Sequence, residues 1–152
     1  MKLTYRKMTE KDEQMVTKIF TESFNYDTAL HFGKGAEDGP PGYSDGRLFK
    51  RLLANQEADS LLITRADKII GIIAINPEIR EVLYFCVLPE CINQGVGSAV
   101  WKDIEDKYGK DYWRLETPSY SLSNHHFYQK NGFKKTGEKE YPEGGRSYIF
   151  QK

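Results

Sequence analysis

Apolar positions along this chain change period several times, and each change marks an element. Leu3 to Arg6 reads as a short strand. Thr9 and Asp12 make a T-x-x-D capping pattern, after which Val16, Ile19, Phe20 and Phe24 recur at helical spacing. From Gly33 to Gly46 five glycines and the pair Pro40, Pro41 forbid regular structure and predict a mobile loop. Leu48, Phe49, Leu52 and Leu53 then predict a short helix.

The middle of the chain alternates with period two. Leu61 to Arg65 and Ile69 to Asn76 are β-rich runs joined by Ala66, Asp67 and Lys68, the pattern of an antiparallel hairpin. Glu81 to Leu88 is a further strand, ended by Pro89. From Ser98 the period returns to 3.6, with Val100, Ile104 and Tyr108 on one stripe and Gly109 as the stop. Tyr112 to Glu116 reads as strand, Ser121 to Asn131 as helix stopped by Gly132, and Phe133 and Ser147 begin two final strands. The predicted order is β-α-α-β-β-β-α-β-α-β-β, an α/β chain without internal repeat or linker.

Composition adds limits. At 152 residues the chain fits one domain, residues 1–152. Such a domain buries roughly two-thirds of the surface exposed by its unfolded form. No apolar run approaches the ~18 residues of a membrane span, which excludes a membrane helix. The first residues lack the apolar core of a secretory signal, and Cys86 and Cys91 form neither a CxxC pair nor part of a metal-ligand cluster. The expectation is a cytoplasmic protein with two buried thiols, no disulfide and no metal. Its 22 basic and 22 acidic residues cancel, so no overall field favours nucleic acid or anionic lipid.

The chemistry concentrates between Val87 and Ser98, where a strand runs through Cys91, Ile92, Asn93, Gln94, Gly95, Val96, Gly97 and Ser98 into a helix. Without Cβ atoms at Gly95 and Gly97, backbone N–H groups can converge on a phosphate, and the helix N-terminus adds partial positive charge. A tight turn without a ligand would use the same residues. A dinucleotide fingerprint is a weaker match, since its third glycine would fall at Val100. Downstream, Ser121 to Phe133 reads S-L-S-N-H-H-F-Y-Q-K-N-G-F, with Phe127 directed to the core and Gly132 ending the helix.

Together these two segments resemble the acetyl-CoA-binding motif and the adjoining helix motif of the GCN5-related N-acetyltransferase (GNAT) family. Gly95 and Gly97 match the first motif, whereas Ile92 replaces its leading Arg or Gln. Phe127, Tyr128, Lys130, Gly132 and Phe133 match the second, and Ser121 stands where Asn is usual. The resemblance implies a central mixed, mostly antiparallel sheet flanked by helices. It further implies an acetyl-CoA cosubstrate held by Cys86, Val87, Asn93, Gln94, Gly95, Val96, Gly97, Ser98, Ser121, Asn124, Tyr128 and Lys130. The acceptor would be a small-molecule or peptide amine, and pairing through the C-terminal strands would make a homodimer. A non-catalytic acyl-CoA-binding module is the alternative, favoured by the changes at Ile92 and Ser121 and opposed by Tyr128.

In the implied mechanism a backbone N–H at or beside Val87 stabilises the oxyanion, a donor commonly worth ~3 kcal/mol of barrier. Tyr128 would protonate the departing thiolate, with phenol near ~10 and thiol near ~8.5. Glu81 and Glu116 are the candidate bases for the acceptor amine. Strand parity places Glu81 with Leu83 and Phe85, opposite Tyr84 and Cys86. His125 and His126 point ~100° apart on a helix, which suits one packed and one solvated ring better than a metal site. His31 stands alone beside the glycine-rich loop. Phe24 to Arg51 and Lys139 to Tyr148 mix aromatic and acidic residues, a composition suited to a cationic amine.

Overall fold

A computed structural model describes residues 1–152. Its element order is the one predicted: β1 (Leu3–Lys7), α1 (Glu13–Phe32), α2 (Arg47–Ala54), β2 (Asp59–Arg65), β3 (Lys68–Asn76), β4 (Glu81–Val87), α3 (Val96–Tyr108), β5 (Arg114–Pro118), α4 (Leu122–Lys130), β6 (Lys134–Glu140) and β7 (Arg146–Gln151). Thr9 and Asp12 do form a reciprocal capping box, which closes a 3-10 turn leading into α1. Ala66 and Asp67, both at positive φ, make the two-residue hairpin turn between β2 and β3. Residues 33–46 contain neither helix nor strand, yet the loop is tied to α1. The Tyr43 hydroxyl donates to Asn25 at 2.6 Å, and the Thr28 hydroxyl donates to the Asp38 carbonyl at 3.0 Å.

Seven strands form one sheet in the order β1-β2-β3-β4-β5-β7-β6, antiparallel throughout except for β4 and β5. Helices cover both faces, so β3 is buried along most of its length. On one face Val16, Ile19 and Phe20 of α1 and Leu48, Phe49 and Leu52 of α2 pack on Leu62, Ile72, Ala74 and Cys86. On the other, Val100, Trp101 and Ile104 of α3 pack with Tyr128, Trp113, Leu115 and Phe150. Burial of this apolar surface is the main stabilising term, at about 25 cal/mol per Å².

Two irregularities open the sheet at its centre. Tyr84 lies opposite Ala74 while Val82 lies opposite Ile75, so Leu83 is the extra residue of a β-bulge. The parallel pair β4–β5 has a single register position, Glu81 opposite Arg114, after which the strands part. Beyond Glu81 the edge of β4 that faces β5 has no strand partner. The bulge also corrects the parity reading. Leu83 and Tyr84, adjacent in sequence, both pack on the α1 face with Cys86, whereas Val82, Phe85 and Val87 pack on the α3 face. Glu81 therefore does not share a face with both Leu83 and Phe85.

Candidate active site

A cleft of ≈ 430 Å³ lies over the part of β4 that has no β5 partner. Its walls are two helix stripes at i, i+3, i+4, i+7: Ser23, Tyr26, Asp27 and Leu30 of α1, and Ser123, His126, Phe127 and Lys130 of α4. Phe85 and Val87 of β4 form the floor, and the turn from Cys91 to Ser98 closes the far end.

That turn has the backbone pattern of an anion nest. Asn93 at φ 63° and Gly95 at φ 78° alternate with neighbours that are not at positive φ, a pattern able to converge successive amides on one point. Helix α3 starts at Val96, two residues before the predicted start, with Gly95 as its N-cap and no side chain capping it. The amides of Val96, Gly97 and Ser98 are thus left without intrahelical partners at the positive end of a 13-residue helix. A pyrophosphate fits such a donor set. The two glycines have different tasks. Gly95 supplies the left-handed conformation with open space around it, its nearest neighbour being Met1 Cε at 3.8 Å. Gly97 lies inside the first turn of α3, where an added Cβ would stand 2.7 Å from Phe127 Cε1, so its bare backbone lets α4 approach.

Of the remaining cofactor candidates, Val87, Asn93, Val96, Ser98, Asn124, Tyr128 and Lys130 line the cleft. Gln94 turns away, bonded to Arg65 at 2.9 Å and to the Glu90 carbonyl at 2.8 Å. Cys86 is buried on the α1 face beneath the cleft, and Ser121 is buried at the start of α4. The Tyr128 hydroxyl has no hydrogen-bond partner in the fold, while its ring packs against Phe127, Phe133 and Phe150. Burial, with the neighbouring Cys86, pushes the Tyr128 hydroxyl well above the usual phenol range. The same surroundings push the Cys86 thiol up to about 12, through burial first, with Ser23 opposing and Asp27 adding.

Glu81 and Glu116 are not brought to the cleft. Arg114 spans them, donating to Glu81 at 2.7 Å and to Glu116 at 3.2 Å. Burial alone would raise Glu116, but the Tyr141 hydroxyl at 2.6 Å, Arg114 and Lys139 outweigh it and hold its carboxyl below the usual range. No cluster of His, Cys, Asp and Glu suits a metal, and both cysteines are free and buried. His125 is buried, stacked on Tyr148 and bonded to the Pro118 carbonyl, while His126 is exposed. No helix is long and apolar enough to cross a membrane.

Sequence reasoning placed the cleft's one carboxylate, Asp27, only among the acids of the Phe24 to Arg51 segment suited to a cationic amine, with no role of its own. Its Oδ1 accepts from Ser121 Oγ at 3.1 Å and Ser123 Oγ at 2.9 Å, with His31 Nε2 at 3.4 Å. The i, i+3, i+4, i+7 spacing of Ser23, Tyr26, Asp27 and Leu30 was the available signal, because three of the four interrupt the apolar face of α1.

Residues 36–149 match the family model described as acetyltransferase (GNAT) domain. No curated protein matches the chain. Among solved structures the fold is similar to a GCN5-related N-acetyltransferase from Rhodopseudomonas palustris, with TM-score 0.76, 14% identity, and 97% of this chain and 92% of that one covered. It is also similar to PaiA N-acetyltransferase from Thermoplasma acidophilum, solved in complex with coenzyme A, with TM-score 0.70, 19% identity and 100% of each chain covered. A third likeness is the ribosomal-protein-S18-alanine N-acetyltransferase of Escherichia coli, with TM-score 0.70, 13% identity, and 98% and 92% covered. At these identities the structures speak for the fold.

Proposed function

The chain belongs to the GNAT acetyltransferase family, and from that premise we propose that it transfers the acetyl group of acetyl-CoA directly to a primary amine of a small molecule or peptide. The observation that carries this reading is a tyrosine hydroxyl without a protein partner, in the cleft whose far end is an uncapped helix N-terminus. Acetyl-CoA supplies an acetyl group already activated as a thioester. Val96, Gly97 and Ser98 bind the pyrophosphate through their amides, with Lys130 beside them. The free edge of β4 near Val87 orients the acyl arm and donates to the carbonyl oxygen as negative charge grows there.

Tyr128 holds the proton for the leaving sulfur. Burial strengthens the hold of the phenol on that proton, so it is released only as the C–S bond breaks and the thiolate forms. Deprotonation of the amine falls to neither Glu81 nor Glu116, whose carboxylates are committed to Arg114.

Cytoplasmic residence and a homodimer belong to the same reading. Two free, buried thiols support the first. The second rests on the family resemblance, and the outer strand β6, exposed and rich in Lys and Glu, offers no apolar edge for pairing. Light scattering settles the assembly. The reaction is tested with acetyl-CoA and a panel of polyamines, amino acids, aminoglycosides and peptides, reading CoA thiol release and acetylated product together. Tight acetyl-CoA binding without product from any amine would favour a non-catalytic module.

A further inference from the structure

Asp27 is the one carboxylate lining the cleft, and it is held in a fixed pose. Ser121, Ser123 and His31 all address Oδ1, and no protein donor reaches Oδ2. The carboxylate is only 20% exposed, so a charge placed beside it is partly shielded from water. It lies at the end of the cleft away from the phosphate cradle. The phosphate cradle and Lys130 occupy the opposite end of α4, whereas Ser121 and Ser123 sit at its start. Tyr128 lines the same cleft as Asp27, from a position on α4 between Ser123 and Lys130.

A carboxylate there can meet the amine that reacts or a second positive group on the same molecule. In the first use the carboxylate would hold the amine protonated until it removed that proton itself as a base, and only the neutral nitrogen attacks. The second leaves the reacting nitrogen free while fixing its distance from the thioester. Resting on the acetyl-transfer reading above, we propose that the acceptor carries two cationic groups, one of which is anchored by Asp27 while the other is acetylated. Asp27 is a specificity-determining residue, and the substrate class is the diamine or the amine with a second fixed positive charge.

The test compares straight-chain monoamines with α,ω-diamines of matched carbon number, using the whole protein and acetyl-CoA. Wild type should favour the diamine by about tenfold or more in kcat/KM, beyond the factor of two that two equivalent ends provide, as a charge-assisted hydrogen bond allows. The preference should reside in KM and shrink with added salt. In Asp27→Asn, which keeps an oxygen for Ser121 and Ser123 but loses the charge, the diamine-to-monoamine ratio should collapse toward two. Asp27→Glu should retain a preference.

A merely structural Asp27 would lower both activities together and leave the ratio untouched, which overturns the proposal. Equal use of matched monoamine and diamine by wild type overturns it too, whatever the variants do. These failures differ from that of the parent reading, in which no amine of either kind is acetylated.

Discussion

The two ends of the cleft are made of different materials. At the α3 end, residues close in sequence bring backbone amides together, and the geometry follows from two positive φ angles at Asn93 and Gly95. At the α1 end the geometry comes from side chains far apart in sequence, Asp27 meeting Ser121 and Ser123 across 94 and 96 positions. A backbone cradle suits a part of the ligand common to every turnover, because main-chain donors persist through most substitutions. A side-chain cluster can be rewritten by single mutations, which suits the end where the acceptor is chosen. The difference teaches that one cleft separates a generic task from a specific one by how each is built.

The largest expected effect lies between the two ends. Tyr128→Phe deletes the cleft hydroxyl while the ring keeps its packing on Phe133 and Phe150. If this hydroxyl protonates the thiolate, kcat should fall by ~10² to 10⁴ while acetyl-CoA Kd stays within a few-fold. A structural hydroxyl would instead cost about 1 kcal/mol of stability and leave turnover near normal. Single-turnover rates, acetyl-CoA titration and a melting curve on the one variant decide. Wild-type kcat would detach Tyr128 from both ends.

The next effect separates the two glycines of the cradle. At Gly97 the added atoms would meet the Phe127 ring, so Gly97→Val should push α4 off α3 and destabilise the domain by roughly 1–3 kcal/mol. Acetyl-CoA affinity should fall as well, by about tenfold. Gly95→Ala meets only Met1 Cε, at an ordinary contact distance of 3.8 Å, but forces a side chain into the left-handed region, at a cost of roughly 1–2 kcal/mol. Adding Phe127→Ala should restore part of the stability lost in Gly97→Val and none of that lost in Gly95→Ala. Equal behaviour of the two glycines in this cycle would contradict the division of labour.

What was legible beforehand follows the same division. Local signals carried far: the capping box at Thr9 and Asp12, the hairpin at Ala66 and Asp67 and the glycine turn before α3 each depend on residues within a few positions. They also fixed the element order, because each period switch is a local event. Three features escaped. The bulge at Leu83 reflects a mismatch of β4 with β3, so the alternation read from Glu81 to Leu88 carried no sign of it. The parting of β4 from β5 is a pairing that does not occur, which no residue in either strand announces. Asp27 resembled ordinary loop-flanking acid until the fold set α4 against it.

The smallest expected effect concerns Glu116, which separates carboxylates near the cleft in sequence reasoning from the one inside it. Glu116 is fixed by Tyr141 at 2.6 Å and Arg114 at 3.2 Å on β5, away from the lining residues. Glu116→Gln should leave kcat near normal and reduce stability by about 1 kcal/mol or less, as expected for a partly exposed ion pair. The pH dependence gives the sign. Glu116 has a folded-state pKa below its unfolded one, because Tyr141, Arg114 and Lys139 outweigh burial, so its contribution is present above the unfolded value of ~4.3 and lost as pH falls through the folded one. Denaturant melts of wild type and variant should therefore differ at pH 7 and converge in acid. A variant that loses turnover at pH 7 while its melting curve matches wild type would return Glu116 to the chemistry and leave Asp27 with a competitor for the acceptor end.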